Sequence, residues 1–130
     1  MFQQDNNIDK IKKGYAAFAA GDIETVMSLY DENIEWVQPG TATISGSYHG
    51  KGELGHLLSR LGEKNTQLRP LRFLADGDTV VVISEVTTGG ENSADVEVYT
   101  LRDGKVVRAQ TYGDTALMER IFGSKQVAAG

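Results

Sequence analysis

Two carboxylates stand out by position around the stretch Val98 to Arg120: Glu97 lies just before it, and Asp114 marks the point where a strand pattern gives way to a helix pattern. A carboxyl group held in an apolar pocket can take or give a proton near neutral pH, because burial disfavours its charged form. Glu97 is therefore a candidate general acid or base. Strand alternation puts Glu97, Tyr99 and Leu101 on one face and Val96 and Val98 on the other. Glu97 meets a pocket only if that face turns inward; otherwise it is a solvent-facing or ion-paired strand residue, the usual fate of a charge. Asp114 also has two readings. Followed by Thr115-Ala116-Leu117 it has the position and chemistry of a helix N-cap, and it stands as the second candidate for pocket chemistry.

Other chemistries are thinly supplied. The chain has no cysteine, which removes disulfides, thiol nucleophiles and thiolate metal sites together. Its two histidines, His49 and His56, fall in no metal-binding spacing, so neither a metal site nor a cofactor is expected. With a net charge of −5 and scattered basic residues, the chain suits nucleic acid poorly. No apolar run approaches the roughly 20 residues that span a bilayer, and the N-terminus lacks the pattern of a secretory signal. A cytoplasmic protein away from membranes is expected.

The elements that must position these residues follow from periodicity. Ile8, Ile11, Tyr15 and Phe18 recur at three- and four-residue steps, predicting an amphipathic helix over Asn7 to Ala20 that stops at Gly21. Asp22 then caps a second short helix. Ile34 to Gln38 reads as a strand with Ile34, Trp36 and Gln38 on one face, ended by Pro39-Gly40. A second extended piece follows over Thr41 to Tyr48, and Leu54, Leu57, Leu58 and Leu61 predict a third helix over Gly52 to Leu61. Four strands come next, Leu68 to Ala75, Thr79 to Thr88, Ala94 to Arg102 and Lys105 to Gly113, separated by Gly- and Asp-rich turns. Because Val80 to Ile83 run without a polar break, that strand is expected to be covered on both faces. A short helix, Thr115 to Phe122, closes the fold, and Ser124 to Gly130 is expected to fray.

This order predicts one α+β domain over residues 1–130: a strongly curved, mostly antiparallel, cone-shaped sheet with three helices from the N-terminal half on its concave face and a short C-terminal helix. A curved sheet backed by helices leaves a pocket between the layers. Tyr15, Phe18 and Leu57 from the helices, with Trp36, Gln38, Tyr99 and Thr111 from the strands, are the candidate ligand-binding residues. Each has an ordinary alternative, as core side chain or strand-end polar group.

Five pieces in the same order carry a resemblance: F-A-A-G-D-I-E-T-V-M-S-L-Y at Phe18 to Tyr30, I-E-W-V-Q-P-G at Ile34 to Gly40, G-S-Y-H-G-K at Gly46 to Lys51, F-L-A-D-G-D-T-V-V-V at Phe73 to Val82, and R-D-G-K-V-V-R-A-Q-T-Y-G-D-T at Arg102 to Thr115. In these the chain resembles the nuclear transport factor 2-like superfamily, and within it the SnoaL-like polyketide cyclases and ketosteroid isomerases. The resemblance implies the curved-sheet fold and a homodimer formed through the outer sheet face. For activity it implies less, because this one frame carries isomerases, cyclases, dehydratases, epoxide hydrolases and non-catalytic binding proteins.

Carried over residue by residue, the known catalytic sets are incomplete. Gln38 stands where the isomerases have their general base, and a carboxamide cannot take that proton. Gly14 stands at the isomerases' helix-one tyrosine, with Tyr15 about 100° further round the helix, a displacement too large for the phenol's reach to follow from the resemblance. Glu97 falls near the oxyanion-binding acid. Where limonene epoxide hydrolases have an arginine and two aspartates, this chain has Val86, Thr88 and Thr111. What remains is a protein that binds a small, largely apolar molecule and catalyses proton transfer, cyclisation or hydration and dehydration. The alternatives are a non-catalytic carrier or sensor and a protein-interaction domain using the sheet face.

Overall fold

The computed structural model describes residues 2–125, with side chains from Asp5 onward. Helix α1, Phe2–Ala19, packs Ile11 and Tyr15 into the core, with Ile8 and Phe18 against its edge. It begins earlier than its apolar stripe, because the polar run Gln-Gln-Asp-Asn-Asn is also helical. Gly21 ends it with φ +75°: its N–H bonds to the Phe18 carbonyl and the Asp22 N–H to the Ala17 carbonyl, the paired closure that satisfies the last carbonyls of a helix. Asp22 then caps α2, Ile23–Ser28, by accepting from the Thr25 N–H at 3.1 Å. This tight corner brings α2 back across the end of α1.

Strand β1, Tyr30–Gln38, pairs antiparallel with β2, Gly46–His49, and parallel with β6, Lys105–Gly113. Of the extended piece expected over Thr41 to Tyr48, the part from Gly46 is β2, whereas Thr41 to Ser45 form a loop. Ser45 accepts from the Ala42 N–H and donates to the Pro39 carbonyl, folding the chain on itself, while Ala42 and Ile44 are buried. Their alternation imitates a strand because both enter the core from one side of that loop.

Helix α3, Gly50–Glu63, buries Leu54, Leu57 and Leu58. Strands β3, Gln67–Asp76, β4, Thr79–Thr88, and β5, Glu91–Arg102, then lead into β6 as a meander, giving one sheet in the order β2-β1-β6-β5-β4-β3. Two-residue turns join the strands: Gly89 and Gly90 at φ +58° and +82°, and Asp103 and Gly104 at +51° and +77°, are the mirror-image geometry that follows strand twist. Register shifts occur in the β1–β6, β3–β4 and β5–β6 pairs, and such irregularities bend a sheet.

Helix α4, Thr115–Phe122, lies at the sheet end, where Ile121 packs over Gly89; a Cβ at Gly89 would stand 2.8 Å from it. Beyond it, Ser124 bridges to Ala42 and the Lys125 N–H bonds to Thr41, so the first two residues of the expected frayed tail are tied down. Residues 126–130 lie outside the described residues.

The core sits between the helices and one sheet face. Ile34, Leu54, Leu57, Val80 and Val82 are wholly buried there, each contributing about 1.5–3 kcal/mol. On the opposite face of β4, Val81 and Ile83 are only half-buried in a single chain. Among the described residues, no helix is long and apolar enough to cross a membrane.

Candidate functional site

Alternation along four neighbouring strands decides what faces the helices. Trp36 and Gln38 from β1, Thr111 from β6, Glu97 and Tyr99 from β5, and Val86 and Thr88 from β4 point inward and line one cavity. Its volume is about 80 Å³, room for a few waters. Tyr15 and Phe18 close it from α1, and Leu58 and Leu61 from α3. A larger open groove of about 960 Å³ adjoins it, sharing Phe18, Leu58, Thr66 and Leu68, which therefore stand at the junction of the two.

Glu97 is the chemical centre of this cavity. The side chain is 2% exposed. Tyr15 donates its phenolic O–H to Glu97 Oε1 at 2.8 Å, and the Tyr15 and Tyr99 hydroxyls are 3.0 Å apart in a second hydrogen bond. Glu97 Oε2 is buried and accepts no hydrogen bond among the described residues. Burial raises the Glu97 pKa to about 7, opposed by the bond from Tyr15. Burial and the neighbouring Glu97 charge push the phenols of Tyr15 and Tyr30 upward, and burial with the neighbouring phenol and carboxyl does the same at Tyr99, so these remain neutral donors. No lysine, arginine or histidine lines the cavity among the described residues. The arrangement is an acid near its midpoint at neutral pH in an apolar aromatic chamber.

The aromatic rings hold one another at edge-on angles: Tyr15 against Tyr99 at 6.3 Å and Trp36 against Tyr99 at 6.2 Å. The Trp36 indole donates to Gln38 Oε1 at 3.0 Å, which fixes the carboxamide at the cavity wall.

The remaining candidate residues fall outside the cavity or reach it by another route. Leu57 is wholly buried in the core and leaves the cavity lining to Leu58, one step round α3. Asp114 is outside the lining and accepts from the Leu117 N–H at 2.9 Å as the N-cap of α4, a contact worth about 1 kcal/mol. Tyr15, despite its offset from the isomerase position, reaches the buried carboxylate, because its place on α1 aims the ring at β5 while Gly14 opens against Leu29. Arg69 and Arg108 are paired at the surface with Glu85 and Glu35.

One residue escaped the sequence reading altogether. Asp95 lies two positions before Glu97 on the same strand face and is partly buried, with Oδ1 enclosed and without a partner among the described residues. Burial and the neighbouring Glu97 raise its pKa to about 8. The sign that could have found it is the same alternation that placed Glu97.

The sequence profile of the SnoaL-like domain matches residues 11–109, and the chain belongs to that family. Among solved structures, Bal32a from a soil-derived mobile gene cassette is 26% identical with a TM-score of 0.85, over 92% of this chain and 98% of that one. TerC, co-crystallised with polyporic acid, is 29% identical with a TM-score of 0.80, over 92% and 99% of the two chains. A proposed polyketide cyclase from Sinorhizobium meliloti, 17% identical over 80% and 94% with a TM-score of 0.70, shares the fold. Together with a nuclear transport factor 2-like protein from Burkholderia xenovorans, 26% identical with a TM-score of 0.78 over 92% and 97% of the two chains, these support the superfamily and its α+β fold. No curated protein sequence matches the chain.

Proposed function

We propose that this protein binds a small, largely apolar carbonyl compound and moves a proton on it, with Glu97 as the general acid/base. The observation that carries this reading is Glu97 Oε2: a carboxylate oxygen enclosed in an apolar chamber and free of any described donor, while its sister oxygen is held by Tyr15. A group with a midpoint near 7 holds both protonation states at working pH, which suits general acid–base chemistry. Tyr15 and Tyr99 orient the carboxyl and supply neutral donors. A ligand longer than the inner chamber extends past Phe18 and Leu58 into the outer groove.

Proton exchange at carbon tests the reading whatever product the reaction gives. A panel of cyclic ketones and polyketide-like 1,3-diketones is incubated with the protein in D₂O and followed by mass spectrometry. Deuterium uptake beside the carbonyl is expected to be faster with the parent chain than with Glu97→Gln by about 10²–10⁴-fold. Equal uptake by both proteins across the panel refutes the acid/base role. Polyporic acid is a suitable first binding probe, because TerC was crystallised with it; binding would register in the fluorescence of Trp36, the one tryptophan of the chain. Saturable quenching without exchange on any compound would favour the carrier or sensor reading.

We also propose that two copies pair through the outer sheet face. Val81, Ile83, Val96 and Val98 are half-buried there, and Leu74 and Tyr112 are exposed, an apolar surface of the kind that marks an interface. The parent chain is expected to sediment as a dimer at micromolar concentration and Val98→Lys as a monomer. A monomeric parent overturns the pairing.

A further inference from the structure

We infer that Asp95 is the proton-sharing partner of Glu97, a positioning residue whose carboxyl keeps Glu97 hydrogen-bonded when Glu97 ionises. The two side chains leave β5 on the same face, two residues apart, so they lie side by side. The charge of Glu97 raises the Asp95 pKa, and each side chain has an enclosed oxygen with no described donor. Two bare carboxylate oxygens repel; with one proton between them, one carboxyl becomes a donor and both oxygens are satisfied. The pair therefore retains a proton at neutral pH.

The surroundings are shaped for such a pair. Opposite Asp95 on β4 stands Ser84, 1% exposed, whose Oγ is also without a partner among the described residues. On β6 the residue opposite is Gly113, where a Cβ would stand 2.9 Å from Asp95 Oδ1. The missing side chain makes room for the carboxyl. The titratable groups facing the pair are Tyr15 from α1, Tyr30 from β1 and Tyr99 from β5, all neutral donors; β4 presents Val82 and Ser84, and β6 presents Thr111 and Gly113. With no cation in the lining, the proton is the group that can offset the second charge.

The order of ionisation follows from position. Glu97 takes hydrogen bonds from Tyr15 and from the protonated Asp95, and both favour its carboxylate, so Glu97 releases its proton first. Asp95 then faces a charged neighbour and holds its own proton to higher pH. Between the two steps the site has an ionised Glu97 braced by an Asp95 O–H. This extends the acid/base reading of Glu97, but its test needs no substrate.

Carboxyl carbons of ¹³C-labelled protein would be followed by NMR from pH 4 to 9. In the parent chain both carbons are expected to titrate above the ordinary carboxylate range, each sensing the other's step. Asp95→Asn keeps a donor, so Glu97 is expected to titrate near its parental midpoint while the second step vanishes. Asp95→Leu removes the donor, and the Glu97 midpoint is expected to rise by about one pH unit relative to Asp95→Asn. An Asp95 carbon titrating alone near pH 4, with Glu97 insensitive to it, overturns the proposal. That result is read from the parent chain and does not depend on either variant folding. Failure of the exchange assay alone would leave the shared proton intact and would refute only catalysis.

Discussion

Replacing Glu97 by Gln is expected to make the protein more stable than its parent at pH 9 and to reduce the parent's pH dependence. Glu97 has a folded pKa of about 7 against 4.5 in the free residue, and Asp95 about 8 against 3.8. Between these limits the folded chain binds more protons than the unfolded one, so stability falls as pH rises. The contribution of the neutral pair is full below about pH 4 and is lost as pH climbs through 7 and 8. For Glu97 alone, the swing is on the order of 3 kcal/mol. Gln carries no charge, still accepts from Tyr15, and relieves Asp95 of its charged neighbour. Urea unfolding between pH 5 and 9 checks this: the parent's curve should slope downward and the variant's less steeply, because burial alone still holds the Asp95 carboxyl up. Parallel curves would mean that Glu97 ionises as an ordinary surface carboxyl.

Tyr15→Phe is expected to act in the opposite direction on the same carboxyl. The substitution leaves ring packing against Phe73 and Tyr99 in place and deletes the O–H that Glu97 Oε1 accepts. An enclosed acceptor without its donor costs about 1–3 kcal/mol. The lost bond had favoured the carboxylate, so the Glu97 pKa moves further up, and at pH 7 the group becomes mostly neutral. Any base-catalysed exchange should fall at neutral pH and recover partly at higher pH. A general packing defect would lower the rate at every pH without moving its midpoint. An unchanged Glu97 titration in the variant would remove Tyr15 from the site's electrostatics.

Much of this architecture was legible in the chain. Thr79–Thr88, Lys105–Gly113 and Thr115–Phe122 have the bounds that their alternation and turns predict, because Asp103-Gly104 and an Asp N-cap are unambiguous stops. Thr41–Ser45 was not legible as a loop, since what folds it is the hydroxyl of Ser45 bonded to two backbone groups, and no periodicity records such a bond. The two faces of β5, Glu97 with Tyr99 and Val96 with Val98, follow from alternation, but which of them turns inward does not, because the charged residue lies on the buried one. Nor does the strand's length: Gly-Gly-Glu-Asn reads as a four-residue loop, whereas two glycines at positive φ suffice and the strand begins at Glu91. That shortening put Asp95 at a strand margin and out of consideration. Leu57 and Leu58 differ by one helical step, finer than an apolar stripe can resolve.

The parallel pairing of β1 with β6 joins strands that are far apart in the chain. Only Asp103-Gly104 separate β5 from β6, yet until β6 pairs, Glu97 stands on a strand with one open hydrogen-bonding edge and without Val106 and Thr111 in its chamber wall. Pairing of segments as distant as β1 and β6 is slow. The cavity is thus among the last features to close, and a nascent chain halted before Lys105 presents a burial-tuned acid to water as an ordinary carboxylate. The chemistry of the site is acquired only when β6 joins β1 to the β3–β5 meander.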